Sequence, residues 1–172
     1  FPRAKANLYD GGTKIPLVMR WGNHFTNGTR SKELVSLVDL APTILNAANI
    51  PIPESVTGKS LLPLLMRGEK TERFKAVFLE RERHANVRSD ALGYPMRAIR
   101  THDHLFIVTL RPDRWPAGDP DRGFGDIDNG PSKTFLVENM ERPDFRKMAE
   151  ASLGKRPAEE LYDLRKDPYQ LK

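Results

Sequence analysis

Lys5, Tyr9, Asp10, Gly11 and Gly12 crowd into the stretch "KANLYDGG", and the chemistry of the chain begins there. A lysine ammonium is a compact positive charge with three donors, suited to the non-bridging oxygens of a phosphate or sulfate. Gly11 and Gly12 relax the backbone behind it, so the loop can fold tightly and hold Lys5 in place. The same residues also fit a solvated lysine beside a structural turn, the commoner situation for lysine.

A second group of cations lies further on. Arg81, Arg83 and His84 belong to "LERERH", and Arg97 and Arg100 to "YPMRAIR". If both stretches end one sheet, these cations converge there, and bidentate arginine reads the carboxylates and sulfates of anionic sugars well. Two readings stand for His84: a substrate contact, or a strand-end histidine paired with a neighbouring carboxylate such as Glu82. His102 and His104 flank an expected turn and are given no role. Asp126, Asp128 and Asn129 in "GDIDNG" offer the oxygens a hard cation prefers, yet the remaining ligands of a calcium loop are missing, so the stretch reads as a polar turn. Trp115, next to a proline in "RPDRWPAGD", reads as the anchor of its own loop rather than as a stacking platform for a sugar.

These residues need elements to position them. "KIPLVMRWG", Lys14 to Gly22, reads as a buried strand. A turn-rich loop follows, with its bend at Asn27-Gly28. A helix is expected behind Asp39 as N-cap, with Pro42 in its first turn and Leu40, Ile44, Leu45 and Ala48 on one face. "SLLPLLMRGE" is a short helix or turn behind Ser60. From about Lys75 the pattern turns to strands: "AVFLE", then a hairpin over "YPMRAIRTHDHLFIVTL" bending near His102-Asp103. The Pro-, Gly- and Asp-rich run from Arg111 to Thr134 is expected to wrap a surface or border a site. A helix near "RPDFRKMAEAS" and the closing "RPAEELYDLRKDP" complete this unit.

The 172 residues carry a formal charge of +5, with Lys and Arg dispersed, and no apolar run reaches the roughly 20 residues of a membrane span. With no cysteine, disulfides, thiolate metal sites and a cysteine nucleophile are excluded within these residues. A chain that opens without methionine on a dense motif reads as part of a longer protein.

In order, "FPRAKANLYDGGTKIPLVMRWG", "SLVDLAPTILNAANI", "TGKSLLPLL" and "ELYDLRKDP" resemble the C-terminal part of the sulfatases of the alkaline-phosphatase-like superfamily. "RERH", "YPMRAIRTHDHLFI" and "PDRWPAGDP" resemble the subgroup of heparan N-sulfatases. The resemblance implies an α/β fold in which residues 1–74 form the end of the large mixed sheet of the catalytic domain. Residues 75–172 then form a small antiparallel sheet with a packing helix. It implies that Lys5 contacts the sulfate group, and that His84, Arg83 and Arg97 shape the substrate site. It also implies a formylglycine made in a Cys/Ser-x-Pro-x-Arg motif and a calcium ion held by acidic pairs, both expected upstream, so that this segment alone does not turn over. The expected partner is a sulfated glycan or small sulfated substrate, not nucleic acid, and the expected location is periplasmic or secreted. Apolar surface in the first seventy or so residues is expected to lie exposed. The alternatives are a phosphodiesterase or phosphonate hydrolase of the same superfamily, and a non-catalytic polyanion-binding module.

Overall fold

The computed structural model of the chain describes residues 3–25, 28–67 and 75–172. They divide into two compact units, one of Pro16–Val77 and one joining Phe1–Ile15 to Phe78–Lys172. The opening segment, grouped with residues up to 74 in the sequence reading, therefore packs in the other unit. The reason is its own side chains, since Leu8 and Tyr9 complete the core of that unit.

That core lies on one face of a four-stranded sheet in the order β1 (Ala76–Arg81), β2 (Met96–Thr101), β3 (His104–Thr109), β4 (Glu159–Asp163). Period-two alternation makes the strands: Met96 and Ala98 of β2 and Leu105 and Ile107 of β3 point inward. β2 and β3 are antiparallel, with Ala98 opposite Ile107, and the hairpin turns at His102-Asp103 as expected. β4 runs antiparallel to β3, with Tyr162 opposite Leu105 and Glu160 opposite Ile107. The α/β class is as expected.

After β3, the long run from Arg111 folds as a packed loop. Ala117 and Phe124 of the loop join Leu153 of helix α5 (Pro143–Leu153) in a second apolar cluster, with Trp115, Ile127, Leu136 and Val137 around it. Trp115 meets Phe124 edge to face at 6.1 Å, and the Lys155 ammonium stands 5.3 Å over its ring, which is the anchor expected of it. A helix the sequence reading passed over, α4 (Pro131–Glu138), starts with proline in its first turn and meets α5 through Phe135 and Phe145.

In the unit of residues 16–77, α2 (Leu40–Ala47) and α3 (Leu62–Arg67) are joined through Asp39 and Thr43. The Asp39 carboxylate accepts the Ser36 and Lys59 amides at 2.9 and 2.8 Å, and the Thr43 hydroxyl accepts the Leu61 amide at 2.8 Å. Those bonds fix the packed side of α2. Pro42 and Thr43 are buried, whereas Ile44 of the expected apolar face is exposed.

The strand expected over Lys14–Gly22 does not form. Residues 14–21 take no regular structure, and Val18 is 91% exposed. A strand exists only with a hydrogen-bonded neighbour, and none of the described strands pairs with it. Leu17, Leu37, Val38, Ile50 and Ile52 are exposed as well, the apolar surface expected of this part of the chain. The bend placed at Asn27-Gly28 lies partly outside the described residues.

Candidate functional site

Lys5 sits on a loop whose two ends are pinned. Asn7 donates its backbone N–H to the Ala4 carbonyl at 3.1 Å, and its side-chain amide donates to the Ala4 and Lys5 carbonyls at 3.2 Å each. Behind the loop, α1 (Asp10–Thr13) presses its glycine against these same groups. A methyl on Gly12 would stand 2.4 Å from the Asn7 oxygen and 2.5 Å from the Ala4 oxygen. Gly12 is therefore needed for close approach and not for a positive φ, which corrects the expected backbone relaxation. The conformational strain falls on Arg3 and Ala6 instead, whose φ angles of 54° and 67° lie in the left-handed region.

The residues after Lys5 carry the clamp. Tyr9 is buried, and its hydroxyl donates to both Glu160 oxygens at 2.8 and 3.0 Å, while Tyr162 donates to Glu160 at 2.6 Å. Burial pushes the Tyr9 phenol well up, Arg156 opposing and Glu160 reinforcing, so it stays a donor across the working pH range. The Arg3 guanidinium lies 4.5 Å over the Tyr9 ring and donates to the Tyr162 hydroxyl and the Gln170 carbonyl. Asp10 accepts a two-pronged bond from Arg100 at 3.1 and 3.0 Å, and its amide donates to the Gln170 side chain. Arg100 is thus structural.

With its loop held, the Lys5 ammonium reaches both oxygens of Asp128 at 2.9 Å. The Lys5 hydrogen bond and charge hold the Asp128 carboxyl below its ordinary range, and the charge of His84 adds to this. Lys5 and Asp128 are therefore brought together, both exposed. His84 is exposed as well, and Glu82, the carboxylate of its simpler reading, is paired with Arg97.

Asp128 is placed by Asp126, two residues earlier. The fully buried Asp126 carboxylate accepts from Arg81 and, at 2.7 Å, from Arg88, while its other oxygen accepts the Ala85 amide at 2.9 Å. The Tyr94 ring stands 5.5 Å from both guanidiniums. One carboxylate thus ties the segment carrying Asp128 to the one carrying Arg83 and His84. Burial works against the Arg81 charge and Asp126 supports it.

The four arginines expected to gather at one sheet end each have an acceptor of their own. Arg81 belongs to Asp126 and Arg100 to Asp10. Arg97 is paired with Glu82 and stands 3.8 Å from Glu80, and Arg83 donates to the Ala91 carbonyl at 3.1 Å. Glu82, Arg83, Ala91 and Gly93 line an open hollow of about 410 Å³. The "GDIDNG" stretch offers no calcium site: Asp126 serves two arginines, Asp128 serves Lys5, and the Asn129 amide oxygen accepts from Lys133 at 2.9 Å. No group of three or more His, Cys, Asp or Glu able to hold a metal occurs among the described residues, so these residues do not fit calcium.

The sequence profile of the C-terminal region of N-sulphoglucosamine sulphohydrolase matches residues 4–119, which take in Lys5, Arg83, His84 and Arg97. The chain belongs to this family. Among the proteins it is similar to, a human N-sulphoglucosamine sulphohydrolase is 36% identical over 63% of the chain and 22% of its own length. An ulvan-active sulfatase of Formosa agariphila is 28% identical over 96% of the chain and 30% of its own. Human arylsulfatase K is 40% identical over 40% of the chain and 12% of its own. The chain thus spans less than a third of the length of each of these relatives. A solved Bacteroides thetaiotaomicron sulfatase superposes with a TM-score of 0.44 at 23% identity, over 78% of this chain and 18% of that one. No helix among the described residues is long and apolar enough to cross a membrane.

Proposed function

We propose that this family member is the C-terminal part of a sulfatase that hydrolyses sulfate esters or sulfamates, with N-sulfated glucosamine of heparan-type glycosaminoglycans as substrate. Lys5 carries the reading. Within a matched family profile, its ammonium stands exposed on a clamped loop, already bound to two anionic oxygens at 2.9 Å. As the S–N or S–O bond of the substrate breaks, negative charge is held on the sulfuryl oxygens, and a fixed cation at that point lowers the barrier.

In this reading Arg83, His84 and Arg97 meet the charged and hydroxyl groups of the sugar, Arg83 from the lining of the hollow beside Gly93. Arg83 and Arg97 exchange their present carbonyl and carboxylate partners for those of the ligand. The nucleophile and the calcium ligands belong to the rest of the enzyme, and its place of action is the periplasm or the outside of the cell.

The test is sulfate release by the full-length enzyme from N-sulfated glucosamine and from a generic aryl sulfate. Release from the sulfamate supports the proposal. Release from the aryl ester alone keeps the sulfatase and discards the substrate, and release from neither overturns both. Lys5→Ala is expected to slow turnover by roughly a hundredfold or more, and an unchanged rate removes Lys5 from the site.

A further inference from the structure

We infer that Asp128 is a resident ligand of Lys5 that occupies the place of the substrate's sulfate and leaves it on binding, setting how readily the site takes sulfated molecules. The inference rests on the reading of Lys5 as the sulfate contact.

Four observations carry it. The first is geometric: both Asp128 oxygens lie 2.9 Å from the Lys5 nitrogen, the two-oxygen contact that a sulfate presents to an ammonium. The second is the separation of the pair along the chain. Exposed pairs such as Arg111–Asp113, Arg142–Asp144 and Arg165–Asp163 join residues two apart, which chain proximity alone supplies. Lys5 and Asp128 are 123 residues apart, and the clamped, Gly12-backed loop and the Asp126 anchor bring them together.

The third is exposure. The Lys5 and Asp128 side chains are 66% and 68% exposed, whereas the structural Arg100–Asp10 pair is 13% and 16% exposed. An exposed pair is screened and contributes little, so a competing anion can open it. The fourth is that Asp128 does not depend on Lys5 for its place. Its backbone is anchored two residues earlier by the buried Asp126, whose carboxylate accepts the Ala85 amide at 2.9 Å. The Asp128 carboxylate can therefore leave Lys5 while its segment stays in place.

A monoanionic carboxylate and the sulfate group then compete for one cation. Neutral molecules do not compete with Asp128 for the Lys5 charge, so the pair weighs on binding of anions alone.

The experiment measures KM for N-sulfated glucosamine and the inhibition constant of inorganic sulfate in the full-length enzyme, for the wild type, Asp128→Asn, Lys5→Ala and the double variant. Asp128→Asn keeps the shape and removes the competing charge. KM and the sulfate constant are expected to fall about two- to fivefold, the range an exposed ion pair allows. The gain is expected to vanish when Lys5 is alanine. If Lys5→Ala weakens sulfate binding while Asp128→Asn leaves it unchanged or weaker, the competition is refuted and the reading of Lys5 stands. If Lys5→Ala leaves sulfate binding unchanged, the reading of Lys5 falls and the inference with it.

Discussion

Gly12 lies so close behind Asn7 that a single methyl group on its α-carbon would stand 2.4 Å from the Asn7 carbonyl oxygen. The Ala4 oxygen is nearly as near, at 2.5 Å, and both obstacles are backbone and cannot turn aside. Gly12→Ala must therefore displace the loop that carries Lys5. Overpacking of this kind costs about 1–3 kcal/mol, and a shift of about 1 Å at a catalytic cation costs about a hundredfold in rate. The full-length enzyme with Gly12→Ala is expected to show both, read from thermal unfolding and from kcat. Gly11→Ala meets its nearest obstacle only at 3.2 Å and serves as the milder comparison.

Asp126 predicts a different failure. Its removal leaves Arg81 and Arg88 buried side by side with no counter-charge. Asp126→Asn is expected to destabilise the protein by about 3–5 kcal/mol, measured by urea unfolding. Arg88→Met, which keeps one cation against one carboxylate, is expected to cost less. Equal losses for the two variants would mean that charge balance is not what holds this cluster.

Acid should weaken the fold in a defined window. Hydrogen bonds from Arg111 hold Asp113 down to about 2, and Arg165 likewise depresses Asp163 at the end of β4. A carboxyl depressed in the folded state stabilises it fully above the unfolded value near 3.9, and that contribution is lost as pH falls through the folded value. The urea midpoint is expected to drop between roughly pH 4 and pH 2. Asp113→Asn together with Asp163→Asn is expected to flatten that drop, as is added salt, since both pairs are exposed.

The hairpin and its turn, α5 and Trp115 as an anchor were all legible in the sequence, because each rests on a local pattern or on neighbours close in the chain. What escaped depends on distant partners. The apolar run from Lys14 to Gly22 has the composition of a buried strand, but composition does not say whether a neighbouring strand is present. The fully buried side of α2, Pro42 and Thr43, is chosen with the Lys59 and Leu61 amides, which hydrophobic periodicity does not register; of the expected face, Leu40 and Leu45 are half-buried and Ile44 and Ala48 exposed. Asp126 and Asp128 looked like one polar turn, although one is the counter-ion of two buried arginines and the other the partner of Lys5. The long separations of Arg81–Asp126 and Lys5–Asp128 hid both roles.

The Lys5 loop is fastened from the far end of the chain, by Glu160 and Tyr162 of β4 and by Gln170. A ribosome makes Lys5 before its fastenings, and contacts of such long sequence separation close late in folding. Synthesis that stops before Glu159 leaves a chain with the lysine and the β2–β3 hairpin but no seat for the loop. The Lys5 ammonium thus takes its place only after β4 and Gln170 have been made, which ties this loop to residues more than 150 positions further along.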